Sequence, residues 1–229
     1  MGVPAVGGYY SPNGSATMRC SMKNATETIY VDGYICLGLK RRNGDGRMAQ
    51  PGTTRTVGLA LEGGGYRGMY TAGVLDVWME HGLTCDHMVG VSAGAAFGYN
   101  FKSRQIGRAI RYNKAYCADK RYASVTSWLR TGDMFNADFA YHEVPIERDP
   151  IDLETYRACP MRFTCVCTDI ETGKAVYHDL PYGDERDIEW IRASSAIPVA
   201  TRPVAIEGRK YLDGGVADSI PSAWLFAQG

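Results

Sequence analysis

Long apolar runs are missing from this 229-residue chain. No stretch approaches the roughly 20 apolar residues that a membrane-spanning helix needs. The best candidate, residues 29–39, is interrupted by Asp32 and two glycines. Any membrane contact is therefore expected to be peripheral. Net charge is missing too, since 25 Lys and Arg balance 25 Asp and Glu. No bulk field argues for nucleic acid, and none is expected as a partner. Seven cysteines are present, but no CxxC pair, which removes the zinc-site and thioredoxin patterns. The count is odd, and Cys165 and Cys167 alternate onto one face of an expected strand. That argues for reduced core thiols in a cytosolic protein rather than a disulfide framework. The first ten residues lack the basic start and apolar run of a signal peptide. Histidine is scarce, with only His81, His87, His142 and His178.

What remains is 45% hydrophobic and 22% charged, the profile of one globular domain with a good-sized core. Residues 1–53, rich in Gly, Ser, Asn and Thr, read as a weakly ordered leader, and residues 54–229 as the organised domain. Charge is unevenly spread. Residues 102–130 hold eight Lys or Arg and one acid, Asp119, whereas residues 131–229 hold nine basic and seventeen acidic residues. The basic stretch, with Tyr112, Tyr116, Tyr122 and Trp128, reads either as a solvated helical face or as a surface that docks on anionic lipid.

Apolar runs at 57–62 and 86–91 fit buried parallel strands. Each is followed by a helix-forming run, at 69–81 and 93–101, the first closed by Gly82. Strand, loop, helix, strand, helix implies a βαβ unit in an α/β sheet. Further on, 104–128 is expected to be partly helical, 162–168 a strand, and 169–173 a turn shaped by Asp169 leading into a returning strand at 174–178. A helix over 188–196 stops before Pro198, and two short strands flank the Glu207-Gly208 turn.

Three short patterns carry chemistry. Gly90-Val91-Ser92-Ala93-Gly94 has the GxSxG spacing, which places a serine on a sharp strand-to-helix turn where flanking side chains would clash. The helix after Ser92 aims its amino end at the hydroxyl, favouring developing negative charge. Gly63-Gly64-Gly65-Tyr66-Arg67-Gly68 follows a strand and can turn several amides toward one point. Such a nest fits an oxyanion hole or a phosphate cradle, and its GxGxxG spacing also satisfies the dinucleotide-binding pattern. The acid that pattern wants at the end of the next strand is absent, because Asp86 opens that strand and Ser92 closes it. Asp213-Gly214-Gly215 ends a late strand, so Asp213 is either a turn aspartate or a base. Arg67 is either half of a surface ion pair or a group that attracts a phosphate or carboxylate.

Together the three patterns resemble the patatin-like phospholipases, specifically their bacterial branch, from about residue 56 onward. Residues 62–68 correspond to that family's oxyanion loop, Gly90 to Gly94 to its nucleophile elbow, and Asp213-Gly214-Gly215 to its DG[GA] motif. Residues 71–75 and 193–198 also look like family segments, although Ser194 and Ser195 lack an elbow and read as structural. The resemblance implies a three-layer α/β/α fold with a mainly parallel central sheet. It also implies a Ser92–Asp213 dyad without histidine, acting on phospholipids or other acyl esters at a membrane surface, with no metal or organic cofactor. In that scheme the amides of Gly64 and Gly65, with Ala93, hold the oxyanion, and Gly63, Arg67 and Gly68 complete the loop.

Other readings stay open at this level. A histidine distant in sequence would turn the dyad into a triad. A nucleotide or phosphate module would use the glycine loop without Ser92. The chain stops fourteen residues after Gly215, short of the usual family length, which leaves a non-catalytic fragment as an alternative. Head group, acyl preference and oligomeric state are not encoded in any motif.

Overall fold

The computed structural model describes residues 19–23, 26–31, 35–41 and 55–228, with side chains from residue 56 onward, those of residues 125, 126 and 130 apart. The rest of the expected 1–53 leader, and the side chains of Cys20 and Cys36, lie outside the described residues.

Three strands, β4 (Arg55–Leu61), β5 (His87–Val91) and β6 (Arg162–Asp169), pair in parallel and form the centre of a nine-stranded sheet. Their sequences are apolar in both registers because both faces are covered. Leu59, Leu61, Met88, Phe163, Cys165 and Cys167 point into one core cluster. The alternate residues Ala60, Val89, Val91 and Val166 point into another. Each fully buried side chain of this size contributes about 1.5–3 kcal/mol.

The sheet is mixed rather than parallel throughout. On one side β1 (Arg19–Lys23), β2 (Thr26–Val31) and β3 (Ile35–Arg41) extend it antiparallel from β4. On the other, β7 (Ala175–Asp179), β8 (Val204–Ile206) and β9 (Arg209–Asp213) are antiparallel additions. The β6–β7 hairpin turns where expected, with Asp169 Oδ1 accepting from the amides of Glu171 and Thr172 at 2.8 and 3.0 Å.

The first core cluster is covered by α1 (Met69–Glu80), α2 (Ala93–Lys102), α3 (Arg108–Tyr116) and α6 (Glu185–Ser194), which contribute most of its side chains. The second is covered by α7 (Ser222–Ala227) through Leu225, Trp224 and Phe226. Two short helices, α4 (Val125–Thr131) and α5 (Leu153–Ala158), and a π-helical segment, Asp138–Arg148, fill the long connection before β6. Helices on both faces of a central sheet make three layers. No helix among the described residues is long and apolar enough to cross a membrane.

Of the expected reduced core thiols, Cys85, Cys165 and Cys167 are buried and unpaired. Cys117 is also unpaired but exposed, because it caps the end of α3 rather than facing the sheet.

Candidate active site

Ser92 sits where β5 gives way to α2, at φ 54° and ψ −123°, a conformation that only a tight turn imposes on a residue with a side chain. The flanking glycines are required by close approach. A Cβ on Gly90 would lie 2.7 Å from the backbone of Ala95, and one on Gly94 would overlap the carbonyl of Leu61. The elbow therefore presses the start of α2 onto the end of β4. Ser92 stands at the N-cap of a ten-residue helix, whose first amides have no intrahelical partner. Its own amide donates to Ser194 Oγ at 2.9 Å, and Ser194 Oγ donates to the Val166 carbonyl at 2.6 Å. Ser194 thus ties the elbow to β6. Nothing in its local pattern marks this contact, which is made across 102 residues.

Asp213 meets Ser92 through strand register. β5 pairs with β6 up to Val91↔Val166, and β9 pairs with the next residues of β6, from Cys167↔Asp213 to Asp169↔Tyr211. Since β7 occupies the opposite edge of β6 at Cys167 and Thr168, β5 and β9 lie on the same edge. One is parallel and the other antiparallel, so their carboxyl ends converge head-on. The Asp213 backbone is fixed there by its amide, which donates to the Ala196 carbonyl, and by its carbonyl, which accepts from Thr168 Oγ1, both at 2.8 Å. The carboxylate accepts from the Gly215 amide at 2.8 Å, and the Ser92 hydroxyl beside it favours its charged form. Burial to 7% exposure raises its pKa above the ordinary carboxylate value, against the lowering influence of the Ser92 hydroxyl and the Gly215 amide.

The glycine loop closes the third side. A Cβ on Gly63 would sit 2.9 Å from Ser92 Cβ, so the chain can pass the hydroxyl only as glycine. Gly64 lies beneath the folded-back side chain of Arg67, and Gly65 faces the cavity in front of Ser92. Gly68 packs against Phe97 and Ala93, locking the loop to α2. The amides of Gly63 and Gly64 donate to no group among the described residues. Arg67 is exposed and, among the described residues, has no carboxylate partner. No surface ion pair forms for it among the described residues; its side chain turns back over Gly64.

In front of these groups opens a cavity of about 120 Å³. Ala93, Ala96 and Phe97 of α2, Ile188 and Ile191 of α6, and Val144 and Pro145 of the π-helical segment give it apolar walls. Tyr66, Tyr112, Tyr122 and Tyr141 add aromatic rings to its lining. Most of these positions carry no motif and come together only through tertiary packing.

None of the four histidines reaches Ser92 or Asp213. His81 Nδ1 bonds the Val77 carbonyl at the end of α1, at 2.9 Å. His87 bonds Thr164 Oγ1 at the opposite end of β5, His142 bonds Glu189, and His178 stacks on Trp190. The basic stretch does not form one solvated face. Lys102 and Arg108 are buried, at 5% and 2% exposure, because the main-chain carbonyls of Met161 and Asp149 receive their N–H groups. Arg111 and Arg121 are paired with Asp149 and Asp119. An anionic-lipid surface spanning the whole stretch is not available.

A family model described as patatin-like phospholipase matches residues 59–223. The uncharacterized protein YjjU of Escherichia coli (strain K12) is 33% identical over 80% of this chain and 51% of its own length. Lysophospholipase NTE1 of Scheffersomyces stipitis is 28% identical over 91% of this chain and 13% of its own. The chain thus spans about half, or less, of the length of these curated relatives. Among solved structures, VipD from Legionella pneumophila aligns over 89% of this chain and 51% of its own, with a TM-score of 0.41 and 15% identity.

Proposed function

Because the chain belongs to the patatin-like phospholipase family, we propose that it is a lipid acyl hydrolase with Ser92 as nucleophile and Asp213 as its only proton-transfer partner. The observation that carries this reading is the convergence of Ser92, on a strained turn at the mouth of an apolar cavity, with the buried Asp213 carboxylate, whose charge the Ser92 hydroxyl favours.

The chemistry follows from the positions. An acyl chain lies along the apolar walls and brings its ester carbonyl to Ser92. The hydroxyl oxygen attacks the carbonyl carbon, and its proton passes to Asp213. Burial makes that carboxylate a better base than an exposed aspartate, since the charged form is poorly solvated. The negative charge that develops on the carbonyl oxygen is met by the amides of the glycine loop and of Ala93, at the positive end of α2. Collapse expels the alcohol, which takes the proton from Asp213 and leaves an acyl-serine. Water then attacks the acyl carbon and gives a proton to Asp213; collapse releases the fatty acid, and Asp213 returns the proton to the Ser92 oxygen. Arg67, exposed above the loop and without an ion-pair partner among the described residues, is positioned to draw a phosphate-bearing head group toward the scissile bond.

The substrate class is a phospholipid or lysophospholipid, met peripherally at a membrane surface. The five described cysteines are all free, which supports a reducing, cytoplasmic setting. No metal or organic cofactor takes part in this scheme. The decisive experiment is labelling by a fluorophosphonate together with hydrolysis of p-nitrophenyl esters and lysophosphatidylcholine. Labelling of the wild type, and its loss with a rate decrease of about a thousandfold or more in Ser92→Ala, is the expected result. Nucleotide-induced stabilisation with no labelling would instead favour a phosphate-binding module.

A further inference from the structure

The scheme above uses the mouth of the cavity and leaves its floor unexplained. Arg108, 2% exposed, lines the same cavity as Ser92. Its Nε donates to the Asp149 main-chain carbonyl at 2.9 Å, Nη2 donates to the same oxygen, and Nη1 donates to Asn100 Oδ1 at 2.6 Å. A guanidinium carries five N–H donors, so two are not accounted for by these bonds. The one carboxylate paired with it among the described residues, Asp149, stands 3.6 Å from Nε. Both of its oxygens are already held by Arg111, at 2.9 and 2.8 Å. Two guanidiniums therefore share one carboxylate. Arg111 is 57% exposed and solvated, so the uncompensated unit of positive charge falls on the buried partner. A buried charge left under-neutralised costs several kcal/mol, and a site that carries one is suited to an anion.

The distance from the reacting centre is set by α2. Asn100, which Arg108 grips, lies eight residues beyond Ser92, and a rise of 1.5 Å per residue puts it about 12 Å along the axis. Between the two ends the walls are apolar, with Ala96, Phe97, Ile188 and Ile191. Toward Arg108 the polar groups return as Tyr112 and Asn113. A ligand matched to this sequence of surfaces has an ester at one end, a medium-length hydrocarbon in the middle and an oxyanion at the other end.

We propose that the cavity binds acyl esters whose chain ends in a carboxylate, and that Arg108 is the specificity-determining residue that receives it. This rests on the acyl hydrolase reading and names its substrate class. A methyl-terminated chain of the same length places a CH₃ group against the guanidinium and makes no hydrogen bond there. A carboxylate supplies the missing charge and accepts the unused N–H donors in a dry site, where charge-assisted bonds are strongest.

The test compares p-nitrophenyl nonanoate with the mono-p-nitrophenyl ester of azelaic acid, which has the same chain length and a free carboxylate. The wild type is expected to give a kcat/KM at least about tenfold higher for the carboxylated ester, the discrimination of one charge-assisted bond. In Arg108→Met the ratio of the two is expected to fall to about one. Equal turnover of the two esters by the wild type, or a preference for nonanoate, overturns the proposal while leaving the hydrolase reading intact. Turnover of neither ester, with no fluorophosphonate labelling, counts against the hydrolase reading itself. The pocket is then decided separately by the melting temperature of Ser92→Ala with azelate or nonanoate. Stabilisation by azelate alone supports the anionic floor, and equal shifts or none overturn it.

Discussion

Asp213 combines two requirements that oppose each other. As a base it benefits from burial, which raises its pKa. As part of a fold it is a liability, because an acid whose folded pKa exceeds its unfolded value stabilises the protein only while protonated. That contribution is complete below the unfolded pKa of about 3.9 and is lost as pH rises through the folded value. Two outcomes follow. The acidic limb of the kcat/KM profile should reflect a pKa above about 3.9, and a limb at or below that value would contradict the assigned base. Asp213→Asn should lose activity by about a hundredfold or more yet melt no lower than the wild type at pH 7 in differential scanning calorimetry. Ser194 presents the converse case. Ser194→Ala removes the acceptor of the Ser92 amide and the donor to Val166, both buried. A stability loss of about 1–3 kcal/mol in urea unfolding, with a fall in kcat larger than any change in KM, is the expected signature.

At the scale of elements, the nucleophile turn and its neighbours were legible because glycine leaves a trace wherever backbones touch. Gly63, Gly90 and Gly94 mark places where the Ser92 side chain, α2 and the end of β4 leave no room for a Cβ. Gly94→Ala should accordingly cost several kcal/mol and leave little soluble protein, because the obstacle is the Leu61 carbonyl rather than a movable side chain. The parallel centre of the sheet could be read from its apolar runs for the same reason, since burial on both faces erases alternation. Other elements left no such trace. The π-helical segment Asp138–Arg148 contains Pro145 and charged residues, so its periodicity does not read as a helix, yet it supplies a wall of the cavity. Lys102 and Arg108 looked like surface cations in a basic stretch. What buries them is a set of main-chain carbonyls from residues 41 and 59 positions away, and a carbonyl has no letter in the sequence.

For the molecule as a whole, acid stability is set at the far end of β5 from the reacting centre. His87 is buried between Thr164 and Trp224, and burial pulls its pKa down from 6.5 to about 4. A histidine held neutral in this way contributes stability that is present above its unfolded pKa and is lost as pH falls through the folded one. The melting temperature should decline between about pH 6.5 and 4, and the decline should be shallower in His87→Gln. Asp213 shifts in the opposite direction, so protonating it as pH falls favours the fold while it removes the base.

The head-on approach of β5 and β9 along one edge of β6 has a mechanical corollary. Neither reactive group is gauged against the other directly, since both are measured off a single ruler, the rungs of β6 from Val166 to Cys167. Lengthening that ruler by two residues at this joint would part hydroxyl and carboxylate by nearly the span of a dipeptide, although every motif would still be spelled correctly.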